Sequence, residues 1–325
     1  ADLIAAAEPG LVGNTEPGFH AWVMGGSLPV GVAADWLTSA WGQNAAIFQC
    51  SPAAATAEEV VAGWLLDLLD LPREASVGFT TGATMAGFIC LAAARTEVLR
   101  RAGHDFDESG LANAPAITVI LSEDTHVSNL SALRYIGIGN RDIVKIATDA
   151  QGRMVVGELA ERLGGVDGPA IILATAGHIN SGAFDDFAAL ADLAKKHGAW
   201  LHADAAFGLW ARTSPRYRHL TEALDRADSW STDGHKWLQV PYDSGFAIVR
   251  DAEAHRRAMD MTASYITASP EDGRNPTHFG PELSRRARGF TVWAVLKALG
   301  RQGVAEMVTR HCDAARLLAD ELSGL

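Results

Sequence analysis

Cysteine is scarce in this 325-residue chain: Cys50, Cys90 and Cys312 are an odd and widely spaced set. That excludes a disulfide framework and a zinc knuckle and fits a reducing, cytoplasmic setting. Basic charge is also short, with 27 Lys and Arg against 39 Asp and Glu and a net charge of −12. Neither a nucleic acid nor an anionic membrane surface is expected as a partner. No apolar run approaches the roughly 18 residues needed to span a bilayer. The opening ADLIAAAEPG has no basic n-region and breaks at Pro9-Gly10, so neither export nor membrane insertion is expected.

Several catalytic signatures are missing as well. No GxxxxGK[ST] phosphate loop and no G-x-S-x-G nucleophile turn occur. Gly137-Ile138-Gly139 follows a helical stretch and lacks the third glycine of a dinucleotide fingerprint. His202, Asp204 and His235 offer ligand types for a metal. However, His202 and Asp204 stand two apart on one strand and no H-E-x-x-H spacing exists, so no metal centre is expected.

What remains is a chain with 48% hydrophobic and 20% charged residues, enough for one large α/β domain or one and a half ordinary ones. Residues 51–71 read as a helix, with Thr56 and Glu59 as a capping box and Pro72 as the stop. Strand-like runs follow at 76–79, 116–121, 142–147, 170–175, 199–204 and 245–250. They are separated by helical patterns at 84–102, 126–136, 184–197 and 216–224. Such alternation predicts a mostly parallel sheet covered on both faces. Amphipathic segments at 282–299 and 304–322, joined by Gly300-Arg301-Gln302-Gly303, read as a helical exit from the sheet. Residues 261–280, rich in Pro, Gly, Ser and Thr, read as a long loop of the kind that forms a lid.

The stretch from Asp228 to Gly245, DSWSTDGHKWLQVPYDSG, sets Lys236 beside aromatic and apolar neighbours. Thirty-two residues earlier, WLHADAAFG places Asp204 at the end of a strand. An isolated amine and an isolated carboxylate at the ends of neighbouring strands suit pyridoxal 5′-phosphate. The amine can form a Schiff base with the cofactor aldehyde, and the carboxylate can keep the pyridine nitrogen protonated. The turn VGFTTGATMAG passes through Gly82 into a helix near Thr84 and could hold a phosphate, although a tight strand–helix turn needs the same residues for structural reasons. His126, in SEDTHVSN, reads either as a helix cap or as a ring stacked on a planar cofactor.

The ordered set TTGATMAG, SEDTHVSNLSALRYIGIG, HADAAFG and DGHKW resembles the group II pyridoxal-phosphate-dependent amino-acid decarboxylases over nearly the whole chain. The resemblance implies fold type I, the aspartate-aminotransferase-like fold: a mostly parallel sheet flanked by helices. It divides the chain into an N-terminal segment (1–50) at a dimer interface, a cofactor-binding large domain (51–280) and a helical exit (281–325), with most of the small C-terminal domain expected to be absent. It implies Lys236 as the Schiff-base lysine, Asp204 as the partner of the ring nitrogen, and His126 and Ala206 on opposite ring faces. Thr175 would lie near the phenolic oxygen, and Gly82, Ala83, Thr84 and His235 would hold the phosphate. Tyr265, in the loop after the lysine, would return a proton to the α-carbon once carbon dioxide has left.

There are departures. Where glutamate-decarboxylase-like members carry Asn-Gln, this chain has Ala21-Trp22. Phe19, His20 and Trp22 therefore suggest a pocket for an aromatic or apolar L-amino acid rather than an acidic one. His178 replaces the usual Thr or Asn, and Asp233 stands where many members have Asn, a feature shared with sphingosine-phosphate lyases. The expected activity is decarboxylation of an amino acid by a homodimer. An aldehyde-lyase, an aminotransferase and a catalytically silent fold used for dimerisation remain as alternatives, because they share the cofactor residues.

Overall fold

The computed structural model describes residues 1–16, 18–261 and 273–324. Seven strands form one sheet: β1 (Ser76–Thr80), β2 (Thr118–Ser122), β3 (Ile143–Ile146), β4 (Ala170–Thr175), β5 (Trp200–Asp204), β6 (Ser229–Asp233) and β7 (Gly245–Val249). Their order is β1-β7-β6-β5-β4-β2-β3. Strands β2 to β6 are mutually parallel, and β7 runs antiparallel between β6 and β1. The helices in chain order are α1 (Asp2–Ala7), α2 (Pro29–Trp41), α3 (Pro52–Leu68), α4 (Ala83–Arg101) and α5 (Phe106–Ser109). They continue with α6 (Val127–Tyr135), α7 (Val156–Gly164), α8 (Phe187–His197), α9 (Ala252–Met259) and α10 (Arg288–Leu322).

The two-residue period of a strand sends alternate side chains to opposite faces, and here both faces are dry. Val119, Leu121, Ile171, Leu173 and Ala247 join a core with α4, α6 and α9. Ile120, Ile172, Leu201, Phe246 and Ile248 join the opposite core with α3, α7, α8 and α10. The continuous apolar runs of the sequence are the strands of this doubly covered sheet. Among the described residues, no helix is long and apolar enough to cross a membrane.

Several boundaries differ from expectation. Helix α3 is not capped by Thr56 and Glu59: Pro52 starts it, and the Ser51 side chain accepts from the Ala54 amide at 3.3 Å, leaving Thr56 inside the helix. The segment 216–224 forms short 3-10 turns, Arg218–Thr221 and Leu224–Arg226, instead of a helix. The C-terminal helix starts at Arg288 and breaks at Gly300, whose φ of 60° and ψ of −178° lie outside the helical region. Helices α2, α7 and α9 and strand β6 were not among the elements expected from periodicity.

The far end of α4 is fixed by charge. Buried Glu97 accepts from Arg100 (2.8 and 2.9 Å), Arg101 (2.9 Å) and, across to α9, Arg257 (2.9 Å). The Arg100 hydrogen bond is the main reason its carboxyl is held near 2, below the usual 4.5. A folded carboxyl more acidic than the unfolded one stabilises fully above about pH 4.5, and that contribution is lost as pH falls towards 2. We expect Glu97→Gln to flatten this acid limb in urea unfolding midpoints measured against pH; an acid limb as steep as wild type would count against the assignment.

Candidate active site

Strands β1, β2, β4, β5 and β6 all end at one edge of the sheet, and a cavity of about 300 Å³ opens there. Open α/β sheets place ligands at this carboxyl edge. Gly82, Ala83 and Thr84 reach it from the β1–α4 turn, His126 from the start of α6, and Thr175 from the end of β4. Asp204 and Ala206 come from the end of β5, and His235 and Lys236 from the turn after β6. The structure thus brings together nine of the residues singled out in the sequence.

Asp204 and Thr175 are register partners on adjacent strands. The Asp204 carboxylate is oriented by two donors: Asn129 Nδ2 to Oδ2 at 2.7 Å and the Ala206 amide to Oδ1 at 3.2 Å. Asn129, buried on α6, was not identified from the sequence. His126 is the N-cap of α6, and its Nδ1 accepts the Ser128 amide at 3.3 Å and lies 2.7 Å from Ser128 Oγ. The cap reading of the sequence thus holds, and the cap residue also borders the cavity.

Lys236 Nζ lies 2.8 Å from Asp233 Oδ2 and 4.3 Å from the centre of the Phe207 ring. Asp233 Oδ1 accepts the Ala83 amide at 2.6 Å. His235 Nε2 is 3.4 Å from the same carboxylate, yet burial lowers the imidazole's pKa from its ordinary value despite that neighbour. The turn is tight because glycine allows it: a Cβ on Gly245 would stand 2.4 Å from the Gly82 Cα. At the end of β4, buried Asp185 accepts the Thr175 and Met154 amides, each at 2.7 Å, and so fixes the wall that carries Thr175. His178 also borders the cavity, half-buried.

The N-terminal candidates are placed differently. Phe19 is half-buried, His20 is exposed and Trp22 is 85% exposed; none of them lines the cavity. Their segment nevertheless touches the lysine turn, since a Cβ on Gly25 would meet the His235 carbonyl at 2.1 Å. Tyr265 lies outside the described residues.

An amine, a positioned carboxylate and the positive end of a long helix fit a planar cofactor that carries an aldehyde, a ring nitrogen and an anionic arm. Lys236, Asp204 and residues 82–84 could hold those three parts respectively.

The family model described as the pyridoxal-dependent decarboxylase conserved domain matches residues 2–324. Aromatic-L-amino-acid decarboxylase of Bacillus atrophaeus is 33% identical over 87% of this chain and 58% of its own length. Acidic amino acid decarboxylase GADL1 of Xenopus tropicalis is 28% identical over 96% of this chain and 61% of its own. The crystal structure of Oryza sativa TDC with PLP and tryptamine is 26% identical, with a TM-score of 0.82 over 94% of this chain and 66% of that one. The chain thus spans about three fifths of the curated relatives it matches.

Asn129→Ala removes a buried donor to a carboxylate, an exchange that costs about 1–3 kcal/mol. Denaturant unfolding should show this loss, and an unchanged midpoint would mean that Asp204 is held by other contacts.

Proposed function

Because the chain belongs to the pyridoxal-dependent decarboxylase family, we propose that it binds pyridoxal 5′-phosphate in this cavity and serves decarboxylation of an L-amino acid with an aromatic or apolar side chain. The observation that carries the reading is the convergence of Lys236, Asp204 and the start of α4 on one cavity. Residues 51–280 would form the cofactor-binding unit, with the phosphate at Gly82, Ala83, Thr84 and His235. When bound, the cofactor's protonated ring supplies the sink for the electrons left when the carboxylate departs.

The chain's own residues do the positioning. Lys236 would supply the amine that holds the cofactor's aldehyde carbon. Asp204, held by Asn129, keeps a proton on the ring nitrogen, because an anion there favours the charged form. His126 and Ala206 would confine the ring, and Thr175 would hold its oxygen substituent. Tyr265 is proposed, on its place in the sequence, as the donor of the proton to the α-carbon.

The side-chain preference rests on the cavity lining. Among the described residues it contains Ile179, Phe207 and Ala206 but no arginine. A second carboxylate buried there without a guanidinium would cost several kcal/mol, whereas an aromatic ring gains contact area. Phe19, His20 and Trp22 are proposed to add to the substrate side through the segment that meets the lysine turn at Gly25. The exposed apolar face of α2, α3 and α10, with Trp36, Leu37, Trp41 and Trp293, supports a homodimer.

A cofactor-loaded, full-length preparation tests the reading. Borohydride reduction should fix the cofactor on Lys236, located by peptide mass spectrometry. Carbon dioxide release should favour tryptophan, tyrosine and phenylalanine over glutamate, aspartate and cysteine sulfinate. Label on another lysine would refute the site, and preference for the acidic set would refute the substrate class.

A further inference from the structure

The carboxylate of Asp233 is committed on both sides to groups that a phosphorylated cofactor needs. Oδ1 accepts the Ala83 amide at 2.6 Å, at the first residue of the 19-residue α4. Oδ2 lies 2.8 Å from Lys236 Nζ, and His235 Nε2 is 3.4 Å from Oδ1. The side chain is buried, and a Cβ on Gly82 would meet Asp233 Oδ1 at 3.2 Å and His235 Cε1 at 3.0 Å. Asp233 therefore forms the wall of the turn assigned above to the phosphate. We propose that Asp233 is a resident anion: it caps α4 and holds Lys236 before loading, and it sets cofactor affinity because an incoming phosphate must displace it.

The argument is electrostatic. The start of a long helix carries about half a positive charge and free amides, which one anion can satisfy. A carboxylate and a phosphate drawn to the same amide repel each other across a water-poor site. The carboxylate must turn away from Ala83 as the phosphate arrives, and the same turn frees Lys236 from its ion pair. An asparagine would keep an acceptor for the Ala83 amide without the charge, and its amide group could donate to the phosphate. Asp233 is thus a positioning residue acting through α4 and Lys236.

This inference rests on the cofactor reading, so its test uses ligands that isolate the phosphate. Pyridoxine 5′-phosphate has the phosphate but no aldehyde, and pyridoxine has neither. Calorimetric titration of the cofactor-free full chain should show Asp233→Asn binding the phosphate ester about tenfold tighter than wild type, with pyridoxine affinity unchanged. Asp233→Ser, which also removes the charge, should shift ester affinity in the same direction and carries the test if the asparagine variant does not fold. Equal or weaker ester binding by the neutral variants, or an equal gain for both ligands, would overturn the proposal. Failure of the ester to bind wild type and variants alike would remove the cofactor reading together with it.

Discussion

A shared strand direction is the constraint on which the site depends. Strands β2 to β6 run one way, and β7, antiparallel to both β6 and β1, restores that direction at β1. Six strand ends therefore meet along one edge, and residues from Gly82 to Lys236, distant in sequence, border one cavity. Reversing any of these strands would carry its functional residue to the opposite edge of the sheet.

The sheet centre is held by polar side chains as well as apolar ones. Ser229 Oγ, on β6, lies 2.9 Å from both Trp200 Nε1 and His202 Nδ1 on β5. Burial pushes the His202 pKa down to about 3, so its ring is neutral in the core at ordinary pH. This accounts for a histidine two residues from Asp204 that takes no part in the cavity: it faces the sheet interior and is spent on β5–β6 cohesion. A buried polar group of this kind is stable only because its partner is supplied.

Much of this was legible in the sequence because apolar runs of four to six residues have few alternatives to a buried strand. The six such runs appear as strands, and the four motifs meet in space. The misses have specific causes. Strand β6, SWSTD, is too polar to announce itself, since its burial is licensed by bonds to β5. Ser51 is hidden as a cap because Thr56 and Glu59 satisfy the capping-box spacing, and the decisive feature is Pro52 at the first helical position. Asn129 lies 75 residues from Asp204, and no local pattern encodes that pairing. The contact of Gly25 with the lysine turn is a backbone approach that side-chain chemistry does not foreshadow.

Helix α4 links the cavity to the arginine cluster around Glu97. Its 19 residues make a strut of about 28 Å, with Ala83 at the cavity and the Glu97 arginine cluster near the other end. Arginines there also oppose the negative end of the helix dipole. Fixing the axial position and rotation of the distal turn fixes the proximal one, because the intervening hydrogen-bonded turns deform little. The aim of the Ala83 amide is thus inherited from an anchor remote from any ligand, and a surface change near α9 could misalign the cavity without touching its lining.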